Sequence, residues 1–171
     1  CDWSSDVCSS DLRSPDGMLM QYGYGLLIAM AVSPDGQLLT GSLDGNARLW
    51  DARAGAVTQT FYGDGGWLNA VALTPDGSRA AAASSSGTVI LWDAASGDRV
   101  LTFPPESEPL TSLAFSPNGK YAATGGYANQ ASLYYADTGE WVRSFAGHTD
   151  IVNAVAFSPD GTLLATGSSD G

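Results

Sequence analysis

A four-residue turn motif recurs along this chain at a nearly constant interval, and that interval constrains the fold more than any other feature of the sequence. Each copy reads Ser/Thr-Pro-Asp/Asn-Gly, and the copies begin at Ser33, Thr74, Ser116 and Ser158. A dipeptide that begins with an aromatic residue recurs with a period of 42 residues, as Trp50-Asp51, Trp92-Asp93 and Tyr134-Tyr135. Two independent markers at one period of about 40 residues indicate a repeat architecture, in which each unit buries its faces against its neighbours.

Each unit reads as four short strands, which we call a, b, c and d. Strand a is an apolar stretch before the turn motif, such as residues 67–73 or 151–157, and neither of its faces carries a charge. Both faces of strand a are therefore expected to be buried. The Pro and Gly of the motif suit a tight turn into strand b, and a second turn such as 44–45 leads into strand c. Strand c ends at the dipeptide that begins with the aromatic residue, and a loop containing Gly leads to strand d.

Four antiparallel strands per unit at this period predict the blades of a β-propeller. We expect an all-β fold of about three and a half four-stranded blades in an open ring, with the core built from closely approaching sheets. The predicted blades span residues 22–61, 62–103, 104–145 and, incompletely, 146–171.

The motifs in these units resemble those of the WD40-repeat family. The resemblance rests on Ala-Gly-His at 146–148, on the runs 155–161 and 165–171, and on the Ala-Arg-Leu-Trp-Asp ending at 47–51, and it covers about residues 22–171. WD40 propellers generally close with six to eight blades, so the resemblance implies that this chain is a fragment of a ring, with the remaining blades missing.

Two segments precede the repeats. Residues 1–12 resemble a translated sequencing adapter, and the alternative is a natural N-terminus with a disulfide between Cys1 and Cys8. Residues 13–21 carry another copy of the turn motif, too close to Ser33 for a whole blade. The sequence leaves three explanations of this segment open. It is the remnant of a preceding a–b turn, a chimeric join, or a blade with an unusual ending.

Composition excludes several classes of function. The chain has 7 basic and 18 acidic side chains, a net charge of −11, which argues against nucleic acid as a partner. The longest apolar run, residues 26–32, is too short to span a membrane. A single histidine leaves no His-based metal cluster, and no cofactor motif or catalytic constellation occurs, so we expect neither metal, cofactor nor enzymatic activity. The localisation stays open, with the cytoplasm favoured.

The resemblance implies a hydrogen-bonded network of His, Ser or Thr, Asp and Trp within each blade. The matching residues are incomplete in every blade, so that apolar packing must contribute more to stability. The fourth unit supplies His148, Ser168 and Asp170, the first supplies Ser42, Asp44 and Trp50, and the second keeps Trp92. In the second unit Asp64 and Ser86 replace His and Asp, and the third unit has Glu106, Asn129 and Tyr134.

The resemblance also implies a non-catalytic platform that binds proteins or peptides through its d–a and b–c loops. In this chain those loops combine aromatic and acidic residues, which predicts a basic partner presenting Arg or Lys. The predicted contact residues are Tyr22, Tyr24, Tyr62, Trp67, Tyr127, Asp44, Asp64, Glu106 and Asp150. An alternative is that the acids only maintain solubility and the aromatics cap the core. The alternative function is the regulatory or docking portion of a larger enzyme, such as a signalling kinase or protease.

Overall fold

The computed structural model describes residues 12–13, 19–20, 26–33 and 36–171. Predictions about residues 1–11, about most of the segment 13–21, and about Tyr22 and Tyr24 lie outside these residues. Two short strands in the described part, β1 (Leu12–Arg13) and β2 (Leu19–Met20), pair antiparallel with Leu12 opposite Met20.

The repeats form four antiparallel sheets, and the strands within each sheet follow chain order. The first sheet contains β3 (Leu27–Val32), β4 (Gln37–Ser42), β5 (Asn46–Asp51) and β6 (Ala56–Tyr62). The second contains β7 (Leu68–Leu73), β8 (Arg79–Ser84), β9 (Val89–Asp93) and β10 (Arg99–Thr102). The third contains β11 (Leu110–Phe115), β12 (Tyr121–Gly126), β13 (Gln130–Tyr135) and β14 (Trp141–Ala146). The fourth contains β15 (Val152–Phe157) and β16 (Leu164–Ser168).

This arrangement confirms the predicted all-β fold of partial propeller blades. The sheets pack in chain order, with β3 against β7, β7 against β11 and β11 against β15. The described residues contain no helix, and so none that could cross a membrane.

The turn motif forms the a–b turn through side-chain hydrogen bonds that the motif itself supplies. In the second sheet, the Thr74 hydroxyl donates to Asp76 at 2.6 Å, and the Asp76 carboxylate accepts the Ser78 N–H at 3.1 Å. The backbone N–H of Gly77 donates to the Thr74 carbonyl at 2.8 Å, with Gly77 at a φ of 70° that favours glycine. Asn118 and Asp160 accept the equivalent bonds in the third and fourth sheets.

The core lies between successive sheets and has the small-residue composition that the sequence predicts. The alanines of β8 are fully buried, which lets the first and third sheets approach the second closely. Aromatic residues fill the remaining space, with Phe61 and Trp92 at a centroid distance of 5.5 Å and Phe103 and Tyr134 at 5.2 Å.

Large and small side chains lie on opposite faces of strand a. In β7, Leu68 and Val71 pack toward the first sheet, and Ala70 and Ala72 pack toward the third. The expectation that both faces of strand a are buried is wrong for the two outer sheets. Met30 and Val32 of β3 are exposed, and so are Ala154 and Ala156 of β15, because each of these strands packs against another described sheet on one face only.

A β-bulge recurs in strand a of every sheet and connects the blades. The pairing of strands a and b shifts at Ile28, Asn69, Thr111 and Asn153, at the same place in each repeat. The Asn69 side-chain amide donates to the Leu110 carbonyl of the next sheet at 2.7 Å, and the Thr111 hydroxyl donates to the Val152 carbonyl at 2.5 Å. In the second and third sheets the bulge thus directs a polar side chain across the interface to the next sheet.

Candidate interaction surface

The d–a loops and the b–c turns meet at one end of each sheet, which we call the loop face. It consists of residues 62–67, 104–109 and 146–151 together with the turns 43–45, 85–88, 127–129 and 169–170. One backbone hydrogen bond recurs in all four sheets, from the b–c turn to the residue just before strand a. These bonds run from Leu43 to Leu26, Ser85 to Trp67, Tyr127 to Pro109 and Ser169 to Ile151, at 2.8 to 3.0 Å.

The loop face is also continuous from one blade to the next. The Gly63 N–H donates to the Gly45 carbonyl at 3.1 Å, and the Glu106 N–H donates to the Gly87 carbonyl at 2.9 Å. Asn129 makes the corresponding contact with its side chain, which donates to the Thr149 carbonyl at 3.3 Å. Asn129 therefore joins the third blade to the fourth, whereas the sequence suggested a place for it in the network within its own blade.

Three of the predicted aromatic residues are exposed on this face. The exposed fraction is 72% for Tyr62, 58% for Trp67 and 50% for Tyr127. Trp67 lies immediately before β7 rather than at the start of the strand, and its backbone is held on both sides by Ser85. The backbone of this tryptophan is therefore fixed while its ring stays accessible.

The predicted acidic residues divide into those with strong contacts inside the chain and those without. Asp44 forms an ion pair with Arg48 at 2.8 Å, so its charge is neutralised locally. The Glu106 carboxylate accepts hydrogen bonds from the Thr124 hydroxyl at 2.7 Å and the Tyr134 hydroxyl at 2.9 Å. Among described residues, the Asp150 carboxylate accepts only the N–H of adjacent Ile151, at 2.7 Å.

Asp64 combines an exposed position with several hydrogen bonds. Its carboxylate accepts from the Ser86 hydroxyl at 2.5 Å, from the Thr88 hydroxyl, and from the Gly66 N–H at 3.1 Å. Partial burial opposes ionisation of Asp64, but these hydrogen bonds together outweigh it and lower its pKa. Hydroxyl and amide donors do not cancel the charge, so Asp64 places a negative charge on the loop face.

His148 links the loop before β15 to β16 and to the b–c turn of the fourth sheet. Its Nε2 shares a hydrogen bond with the Thr166 hydroxyl at 2.7 Å, and its Nδ1 lies 3.1 Å from the Asp170 carboxylate. Hydrogen bonds from the Thr149 N–H and then from His148 lower the pKa of Asp170. Ser168, which the sequence placed in this network, donates to the Asp150 carbonyl at 3.0 Å and accepts the Asp170 N–H at 3.2 Å. The hydroxyl that contacts the imidazole is therefore that of Thr166.

In the first blade, too, a threonine hydroxyl takes the place in the network that the sequence assigned to a serine. The Trp50 indole N–H donates to the Thr40 hydroxyl at 2.9 Å, while Ser42 accepts the Asp44 N–H at 3.1 Å within the turn. Sequence reasoning missed Thr40, Thr124 and Thr166, although they follow the 42-residue period. The second blade has Ala82 at this position, which supplies no hydroxyl for Trp92, and Trp92 packs against Phe61.

Tyr134 replaces tryptophan in the third blade and still contributes to the network. Burial, then the charge of Glu106 and the hydrogen bond to it, raise the pKa of Tyr134 above its ordinary value. The phenol therefore stays protonated and donates to Glu106. Across the described part of the chain, no group of three or more His, Cys, Asp or Glu side chains is placed to hold a metal ion.

Comparison with known proteins identifies these repeats. A family model described as WD domain, G-beta repeat matches residues 22–51, 55–93, 97–134 and 139–171. The match over 55–93 spans β6 to β9, so the family repeat joins strand d of one sheet to strands a, b and c of the next. A guanine nucleotide-binding protein subunit beta from Arabidopsis thaliana is 38% identical over 60 residues, which cover 34% of this chain and 16% of that relative.

Proposed function

This chain belongs to the WD40-repeat family, and from that premise we propose that it is a non-catalytic scaffold that binds protein or peptide partners through its loop face. The exposed side chain of Trp67 carries the proposal. Large aromatic side chains are the commonest anchors of protein interfaces, and they bind best when their backbone is already ordered. Tyr62 and Tyr127 extend the exposed aromatic surface on the same face.

The charges on the loop face favour a partner that presents Arg or Lys. Asp64 and Asp150 are exposed and form no ion pair among the described residues, and Asp64 stays ionised because its pKa is lowered. Asp44 contributes less because Arg48 forms an ion pair with it, and Glu106 contributes less because it is only partly exposed. A basic side chain can contact both the aromatic rings and the exposed carboxylates.

The test is a calorimetric titration with Arg- and Lys-containing peptides at two ionic strengths. Truncation of an aromatic anchor costs about 2 kcal/mol, so Trp67→Ala should weaken binding roughly thirtyfold at both ionic strengths. Asp64→Asn keeps an acceptor for the hydroxyl groups and removes the charge, so it should weaken binding mainly at low salt.

Trp141→Ala is the matched control, because Trp141 is 59% exposed and starts β14, at the opposite end of its sheet from the loop face. Its removal should leave the affinity unchanged. Equal losses for both tryptophan variants, no loss for Trp67→Ala, or a preference for acidic peptides would contradict the proposal.

A further inference from the structure

The c–d turns of the first three sheets lie at the end opposite the loop face, and two of these turns are capped by an aspartate. The Asp51 carboxylate accepts the N–H groups of Arg53 at 2.8 Å and Ala54 at 3.0 Å. The Asp93 carboxylate accepts those of Ala95 at 3.0 Å and Ser96 at 2.8 Å. In the first and second sheets, one carboxylate oxygen therefore occupies the site formed by two successive backbone N–H groups.

The third c–d turn has the same backbone and lacks this carboxylate. The Gly139 N–H donates to the Tyr135 carbonyl at 2.8 Å, as Gly55 and Gly97 do to Asp51 and Asp93 at 2.9 Å. Tyr135 replaces the aspartate, and its ring stacks on Tyr121 at a centroid distance of 5.5 Å. Among described residues, no acceptor binds the equivalent N–H groups of Asp137 and Thr138.

Asp137 and Thr138 line a cleft of about 370 Å³, together with Tyr135 and Lys120. The Lys120 ammonium group contributes a positive charge, with Nζ 5.1 Å from the ring centroid of Tyr121 and 5.9 Å from that of Tyr135. Asp137 and Glu140 also line the cleft and disfavour anions. Because repulsion grows with the charge of the ligand, the cleft suits a singly charged carboxylate better than a phosphate.

We propose that the third c–d turn is a carboxylate-binding site, in which an Asp or Glu side chain of a protein partner occupies the place that Asp51 and Asp93 occupy in their own turns. The two N–H groups of Asp137 and Thr138 donate to the carboxylate, and Lys120 adds an attractive charge. This site lies at the opposite end of the sheets from the loop face and does not depend on the function proposed for that face.

The test uses sodium acetate as the minimal carboxylate and follows backbone amide chemical shifts in the whole chain. At constant ionic strength, acetate should shift the amides of Asp137 and Thr138 saturably, and sodium chloride and phosphate should not. The amides of Ala95 and Ser96 are the internal control, because Asp93 already occupies that turn and acetate should leave them unchanged.

Three variants sharpen this experiment. Tyr135→Asp supplies the missing carboxylate and should abolish the acetate response, and Lys120→Gln should weaken acetate binding about two- to fivefold. Asp93→Ala empties the second turn and should create an acetate response at Ala95 and Ser96, which tests the same geometry without disturbing the tyrosine stack. Equal shifts with all three salts, no shift at Asp137 and Thr138, or an acetate response that persists in Tyr135→Asp would overturn the proposal.

Discussion

Asp64 and Ser86 occupy, in the second blade, the positions that His148 and Asp170 occupy in the fourth, and they form the same bridge. In each blade the bridge joins the loop before strand a to the b–c turn, at 2.5 Å for Asp64 with Ser86 and 3.1 Å for His148 with Asp170. The third blade has Ala128 at the position of Asp170, which offers no polar side chain. Glu106, one carbon longer than aspartate, reaches Thr124 and Tyr134 instead. The second, third and fourth blades thus link this loop to the rest of the blade with whichever donors and acceptors their sequences provide.

Removing the acceptor of this bridge should destabilise the second blade. In Asp64→Ala the hydroxyl groups of Ser86 and Thr88 lose their shared acceptor, and we expect the free energy of unfolding to fall by about 1 kcal/mol. Asp150→Ala, which removes an exposed carboxylate bound only to a neighbouring amide among described residues, should change it by less than about 0.5 kcal/mol. Urea denaturation of the two variants measures both effects, and equal effects would contradict a structural role for Asp64.

Ser112 is a buried residue, and the loss of its hydroxyl group should increase the stability of the protein. Its hydroxyl oxygen has no hydrogen-bond partner among described residues, and the equivalent positions in the other three strands a are Ala29, Ala70 and Ala154. Ser112→Ala removes an unsatisfied polar group without enlarging the side chain, so the free energy of unfolding should rise by about 1 kcal/mol. Thr124→Val is the control of opposite sign, because it removes a hydroxyl that donates to Glu106. A loss of stability in Ser112→Ala would show that the hydroxyl has a partner.

The turn aspartate Asp76 should make stability depend on acidic pH. Hydrogen bonds from the Thr74 hydroxyl, then from the N–H and hydroxyl of Ser78, lower the pKa of Asp76 from 3.8 to about 2. Because the folded state favours the carboxylate, its stabilising effect is present above about pH 4 and is lost as the pH falls toward 2. Asp76→Asn should therefore be less stable than the parent at pH 6 and approach it at pH 2. Thermal unfolding across this range measures the difference, and a constant difference would refute the linkage.

Alanine substitutions at two turn glycines should distinguish the cost of backbone strain from the cost of a steric clash. Gly139 and Gly119 have nearly the same φ, 72° and 70°. A Cβ at Gly139 would lie 2.8 Å from Phe103 Cδ1, whereas the nearest atom to a Cβ at Gly119 is Pro75 Cδ at 3.9 Å. Gly119→Ala should cost about 1 kcal/mol from strain alone, and Gly139→Ala should cost roughly 1 to 3 kcal/mol more. Chemical denaturation of both variants gives the comparison, and equal costs would mean that Phe103 moves freely.

The sequence alone determined the strands, their order and the division into blades. Turn motifs such as 74–77 act locally, since Pro restricts φ, Asp or Asn accepts hydrogen bonds within the turn, and Gly adopts positive φ. The 42-residue period then aligns corresponding positions, and this alignment places Asp64, Glu106 and His148 at one equivalent position.

The tertiary structure decided which of these polar groups face solvent and which face the chain itself. Asp64 and Glu106 both lie in exposed loops by sequence, yet their hydroxyl donors are about 20 residues away, Ser86 in a b–c turn and Thr124 on β12. The burial of Trp92 and the exposure of Trp67 likewise depend on whether a neighbouring sheet covers the ring. Hydrogen bonding and burial depend on residues that folding brings together from distant positions. The residue pattern of one repeat therefore does not predict which side chains of the next repeat pack against it.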